Sequence, residues 1–239
     1  MRVLVVGAGT MGRWLAGVLA DDHAVSVADV DSERAAAAAE ELGCGTDDGS
    51  SYDLLVLAVP MSAVAAAAAE YADRADAVID VSGEMRDTLA TLRSEFPDCE
   101  RVSTHPLFAP GNAPGTVAVV RDAPGERTEA VLDALAAAGN DLFETTPSEH
   151  DDAMETVQAK THAAVLAYAL AADEVPEAFH TPVSGPLSEL VETVADGDAD
   201  VYAEIQARFD GAAELAAAAE RLSTADPETF ADLFEEARR

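Results

Sequence analysis

From Arg2 the chain runs through an unbroken Val/Leu stretch to Val6, and three glycines at Gly7, Gly9 and Gly12 follow, with a helical apolar spacing setting in at Thr10. A run with no polar alternation suits a strand buried on both faces. In Gly7-Ala8-Gly9-Thr10-Met11-Gly12 each glycine has a separate task. The first permits a tight turn, the second lets backbone approach a pyrophosphate, and the third lets helix and strand pack closely. The helix opening there points its N–H groups and positive end at an anion. Asp29 closes the next apolar run, 22 residues after Gly7. An acid at that place accepts the ribose hydroxyls of NAD and repels the 2′-phosphate of NADP. Turn and acid together predict a dinucleotide site built from Gly7, Ala8, Gly9, Thr10, Met11, Gly12 and Asp29, with NAD preferred. Arg34 is the one nearby feature that favours NADP.

The first half of the chain repeats this alternation. Strands are expected at 24–28, 53–59, 77–81, 101–104, 116–120 and 142–145. Helices are expected at 10–20, 31–42, 63–72, 88–96 and 126–138. Alternation at this pitch implies a parallel sheet with helices on both faces. After Pro147 no strand pattern is found. Ser148-Glu149-His150-Asp151 resembles a capping box, and helices are expected over 151–173, 186–195, 200–222 and 227–238. Asp226-Pro227 is an N-cap followed by proline at the first helical position. The expected architecture is α/β: a doubly wound, Rossmann-type parallel sheet domain at 1–147, then a smaller all-helical domain at 148–239. The Ala-rich tracts are helix filler, alanine being the best helix former.

Charge narrows the partners. Fourteen Lys and Arg face 46 Asp and Glu, a net charge of −32, which disfavours nucleic acid and anionic membrane surfaces by repulsion. Such self-repulsion weakens a compact state in dilute salt, and screening in molar salt removes it; a salt-rich cytoplasm is the expected setting. Two cysteines outside any Cys/His cluster argue against a disulfide scaffold and a structural zinc site, and no metal is expected. No uncharged apolar run reaches the roughly 18 residues of a membrane span, and a strand beginning at Arg2 leaves no room for a signal peptide. The expectation is a soluble, cytoplasmic protein.

Several residues fall where chemistry is expected. Val59 and Pro60 end a strand on the carboxyl edge of the sheet, the edge where open α/β sheets bind ligands. His105 follows a strand on that edge, with Pro106 favouring extended geometry before it. It is either a structural histidine or a base beside the nicotinamide. Ser82 ends the preceding strand, with its hydroxyl able to orient the imidazole. Met154, Gln158 and His162 recur at i+4 and share a helix face, so Gln158 and His162 are either a satisfied core pair or one wall of a cleft. His150 reads as a capping-region histidine, and His23 and His180 as surface residues.

GAGTMG at 7–12, AVP at 58–60, DVSG at 80–83, THPLFAP at 104–110, SEHDDAMETVQAKTHAAVLAYAL at 148–170 and VYAEI at 201–205 together resemble the prephenate dehydrogenase family of tyrosine biosynthesis. The resemblance implies a Rossmann domain followed by a helical domain that forms a homodimer. It implies NAD(P)-dependent oxidative decarboxylation of prephenate, or the related oxidation of arogenate. His105 matches the family's catalytic histidine, Ser82 is the nearest match to its supporting serine, and His162 matches a histidine of the substrate cleft. One departure stands out. The arginines with which many members bind the substrate carboxylates are missing, since no arginine occurs between residues 128 and 207. Lys160, the only lysine, is the expected carboxylate partner, with Arg86 and Arg208 as the other cations in reach. The β-hydroxyacid dehydrogenases share the glycine pattern, but their helix lysine is followed four residues on by asparagine, where this chain has Ala164. A catalytically silent NAD-binding regulator would suit the lost arginines, but not the retained His105 and Ser82.

Overall fold

The computed structural model describes residues 1–238. Strand period dictates how its first part is layered. In β1 (Arg2–Val6) and β4 (Leu54–Leu57) successive side chains point to opposite faces, and both faces are covered. Val3, Val5, Leu54 and Val56 pack with Leu15 and Leu19 of α1 (Thr10–Ala20), Ala38 of α2 (Ser32–Leu42) and Leu132 of α5 (Glu126–Ala137). Leu4, Leu55 and Leu57 pack on the other side with Ala68 of α3 (Val64–Tyr71) and Leu89 and Leu92 of α4 (Arg86–Glu95). Each such leucine contributes about 1.5–3 kcal/mol by leaving water.

The sheet has eight strands in the order β3-β2-β1-β4-β5-β6-β7-β8, with β2 at Ala24–Ala28, β3 at Gly45–Thr46, β5 at Ala77–Asp80, β6 at Glu100–Pro106, β7 at Thr116–Ala123 and β8 at Asp141–Glu144. Strand order reverses between β1 and β4, which opens a crevice at their carboxyl ends. The first six strands are parallel, but β7 runs antiparallel to β6. Residues 107–115 form only a short connection with one 3₁₀ turn; a parallel return needs a longer crossover. After α5 the chain adds β8 parallel to β7. The two-residue β3 was not expected from the sequence.

The chain divides into two compact units, Met1–Asp151 and the residues from Asp152 on; the expected join at 147/148 is where α6 (Pro147–Met154) begins. Its first turn is served by Thr146, whose Oγ1 accepts from Glu149 N–H at 3.2 Å, so the expected capping box at 148–151 does not form. In the second unit, residues 155–160 wind as a π-helix before α7 (Thr161–Ala171). Beyond it lie α8 (Ser184–Ala195), α9 (Ala199–Arg208), α10 (Gly211–Thr224) and α11 (Pro227–Ala237). The helix expected over 200–222 is therefore two helices. Gly211 explains the break, because a Cβ there would lie 2.7 Å from both Ala159 Cβ and Lys160 N, so α10 starts pressed onto the π-turn. Asp226 caps α11 as its sequence predicts, accepting from Thr229 N–H at 2.8 Å. No helix among the described residues is long and apolar enough to cross a membrane.

Candidate active site

The glycine turn is shaped by what would collide with it. Gly7 has φ 106°, and a Cβ there would sit 2.1 Å from Ala58 O; at Gly12 it would sit 1.8 Å from Gly7 O. Both glycines are thus required by packing. Gly9 differs, since a Cβ there would meet nothing within 4 Å. Its missing side chain leaves open space before the N-terminus of α1, whose first turn carries no capping side chain and no acid. Thr10 and Met11 form the start of that turn. An N-terminus left open in this way suits a phosphate group. Asp29, just past β2, ties the turn in place: Oδ2 accepts from Ala8 N–H at 2.8 Å and Oδ1 from Asp31 N–H at 2.9 Å. Across the crevice, Val59 and Pro60 follow β4 and lead into α3. These residues fit a dinucleotide.

His105 lies near the end of β6 and is only 7% exposed. Its Nδ1 is 2.9 Å from His150 Nε2, and His150 Nδ1 is 2.7 Å from Asp151 Oδ1. The two rings meet edge to face, with centroids 5.1 Å apart. Asp151 also accepts from Met85 N–H at 2.9 Å and Arg86 N–H at 3.0 Å. Burial pushes the Asp151 carboxyl up, but the bonds from His150, Met85 and Arg86 outweigh it and hold the group below its ordinary value. Burial pushes His105 down to about 3; neighbouring His150 adds to this and Asp151 opposes it. The His105 ring is therefore neutral near pH 7, and a neutral imidazole can accept a proton. Arg86 flanks the group, donating through Nη2 to Ser148 O and Oγ, both at 2.9 Å.

Ser82 is buried two residues beyond β5, and its N–H donates to Asp80 Oδ2 at 2.9 Å. Its hydroxyl, like Ser103 Oγ and Asp80 Oδ1, makes no hydrogen bond within normal geometry, although both hydroxyls lie near enough to Asp80 to pull its pKa down. The group that holds His105 Nδ1 is His150, which the sequence marked only as a capping-region residue. Asp151 was likewise missed as a partner. Their one signal was the adjacent Glu149-His150-Asp151 within the resemblance.

In the second unit, Gln158 and Lys160 lie in the π-helix and His162 near the start of α7. The wider turn, bonded i to i+5, replaces the regular i+4 face that spacing predicts. His162 is half-buried, packs edge to face on Tyr202 at 4.7 Å and leaves Nδ1 without a partner; burial lowers its pKa. Gln206 Nε2 donates to Ala159 O at 3.0 Å. Lys160 Nζ lies 2.5 Å from Glu214, a bond that raises the lysine's pKa. The expected carboxylate partner is thus already paired.

The family described as "NADP oxidoreductase coenzyme F420-dependent" matches residues 2–84. A "4-amino-4-deoxyprephenate dehydrogenase" of Streptomyces pristinaespiralis is 32% identical over 211 residues, covering 78% of this chain and 69% of that protein. A prephenate dehydrogenase from A. aeolicus, crystallised with hydroxyphenyl propionate and NAD+, superposes with a TM-score of 0.76 at 17% identity over 100% of this chain and 96% of that one. An arogenate dehydrogenase from Synechocystis superposes with a TM-score of 0.64 at 14% identity, over 100% and 98%. At these identities the two structures speak for the fold alone.

Proposed function

This chain belongs to the prephenate dehydrogenase family, and on that premise we propose that it performs the NAD-dependent oxidative decarboxylation of prephenate to 4-hydroxyphenylpyruvate. The observation that carries this reading is His105, an imidazole kept neutral by burial at the carboxyl edge of the sheet that also bears the glycine turn. The open N-terminus of α1 at Gly9, Thr10 and Met11 receives the coenzyme's diphosphate, and Asp29 receives its adenosine ribose. Bound there, NAD supplies the hydride acceptor. His105 takes the proton of the substrate's 4-hydroxyl as the C4 hydride departs. The ring carboxylate leaves as CO2, its bonding electrons complete the aromatic ring, and His105 returns the proton to the phenolic oxygen. A base so placed is worth about 10²–10⁴-fold in rate. Ser82, at the end of the adjacent strand, is the proposed second polar group of the site.

In the helical unit, Gln158, Lys160 and His162 are the proposed contacts to the substrate. For Lys160 that role requires exchange of Glu214 for a substrate carboxylate. Exposed Leu170, Phe179 and Val183 in the same unit support pairing with a second copy through that surface, and the acidic composition supports a salt-rich cytoplasm. The 4-amino analogue named for the Streptomyces relative is the second substrate to test. The test is NADH formation in molar KCl with prephenate, arogenate and 4-amino-4-deoxyprephenate, each with NAD or NADP. Turnover with prephenate and NAD, lost in His105→Asn, is expected. Turnover only with arogenate or 4-amino-4-deoxyprephenate, or none with any substrate, would overturn the reading.

A further inference from the structure

We propose that His150 and Asp151 are positioning residues that fix the tautomer of His105, holding its Nδ1–H toward His150 so that Nε2 is the unprotonated nitrogen that takes the substrate's proton. The inference rests on His105 being the base. It follows from counting donors along the chain of bonds. A carboxylate offers acceptors only, so the 2.7 Å contact between Asp151 Oδ1 and His150 Nδ1 is an N–H donated by the ring. Taken as neutral in the proposed arrangement, His150 carries one N–H, and its Nε2 is then bare. The 2.9 Å contact to His105 Nδ1 then needs its proton on His105. With Nδ1 protonated and the ring neutral, Nε2 is the unprotonated nitrogen of His105. The opposite tautomer would present an N–H to the substrate hydroxyl and take no proton.

The anchor for this order lies outside the two rings. α4 has no capping side chain at its N-cap residue, Met85. Asp151, distant in sequence, fills that place by accepting the N–H groups of Met85 and Arg86. The helix end favours negative charge there, and the Arg86 guanidinium stands 3.9 Å from Oδ2. The other carboxylate at this helix end, Glu84, is occupied with the N–H groups of Asp87 and Thr88. Held on two backbone bonds, the Asp151 carboxylate cannot turn away from His150. The device differs from a serine-type triad in that two imidazoles separate the carboxylate from the reacting atom.

The test uses the whole chain in molar KCl. Long-range ¹H–¹⁵N spectra of the wild type should show His105 protonated at Nδ1 and unprotonated at Nε2; a His105 protonated at Nε2 overturns the proposal without any variant. Asp151→Asn, which lets the amide reverse the donor order, should lower kcat about 100-fold or more with little change in KM, as orienting carboxylates do elsewhere. His150→Gln keeps an acceptor toward His105 and should retain far more activity than His150→Phe, which keeps only the packing. Equal activity in these two variants, or wild-type kcat in Asp151→Asn, refutes the relay. If His105→Asn abolishes turnover while Asp151→Asn and His150→Phe do not, the relay alone fails; if His105→Asn turns over normally, the base assignment fails with it.

Discussion

Asp80 ends β5 with its side chain wholly buried, and burial lifts its carboxyl from an ordinary 3.8 to about 7. The Ser82 N–H and the nearby Ser103 and Ser82 hydroxyls pull the other way without offsetting the loss of water. A carboxyl with a raised folded-state pKa favours the fold most below its unfolded pKa, and that contribution is lost as pH climbs to the folded value. The window therefore runs from about pH 4 to pH 7, and above it the loss is complete. At about 1.36 kcal/mol per pKa unit the full loss is on the order of 4 kcal/mol, which for a chain of this size is roughly 10 °C in melting temperature. Asp80→Asn removes the ionisation while keeping an oxygen for the Ser82 N–H. Thermal melts of both proteins in molar KCl, from pH 5 to pH 8, isolate the effect, because the many surface carboxylates titrate alike in the two. The variant should gain on the wild type steadily as pH rises and hold a constant lead above pH 7. A difference that does not vary with pH would refute the argument.

Gly7→Ala should cost at least roughly 2 kcal/mol, from its positive φ and the collision with Ala58 O. Gly9→Ala should cost under about 1 kcal/mol yet weaken NAD binding measured by titration, since only the open cradle is filled. Melting temperature should climb between dilute and molar KCl as the charge of −32 is screened; a flat response would remove the case for a salt-rich setting. Lys160→Ala should raise KM for prephenate several-fold with kcat little changed, and an unaltered KM would show that Lys160 serves only Glu214.

The first unit was legible because strands buried on both faces leave nothing for polar residues to do. Val3 and Leu4 are apolar for opposite faces of one sheet, so the run had no other reading. The reversal at β7 was hidden by the same fact: a strand buried on both faces looks alike whichever way it runs. Only the short stretch 107–115, with two prolines and two glycines, held the clue. The glycine turn and Asp29 were readable because their spacing is local. The contact of His105 with His150 spans 45 residues, and no local pattern encodes it. The π-turn at 155–160 escaped for another reason, since its residue types are ordinary helix formers. Gly211 looks like a flaw in a helix until Ala159 is seen against it.

The cations of this chain are largely occupied. Arg74 binds Asp47, Arg93 and Arg101 share Asp122, Arg121 is held by Glu129 and Glu144, and Arg127 by Asp76 and Glu100. A prephenate dianion, the proposed substrate, would thus approach a strongly negative body in which these positive groups already have partners. In dilute salt that repulsion reaches about 30 Å, and in molar salt only about 3 Å. KM for prephenate should therefore fall as KCl rises, the reverse of the usual weakening of an anion's binding by salt. Arogenate, whose amino group cancels one charge, should respond about half as strongly. Steady-state kinetics with both substrates over a range of KCl that keeps the protein folded reads this directly. If KM for prephenate rises with salt instead, a local cation dominates the approach, and the whole-molecule charge does not govern substrate capture.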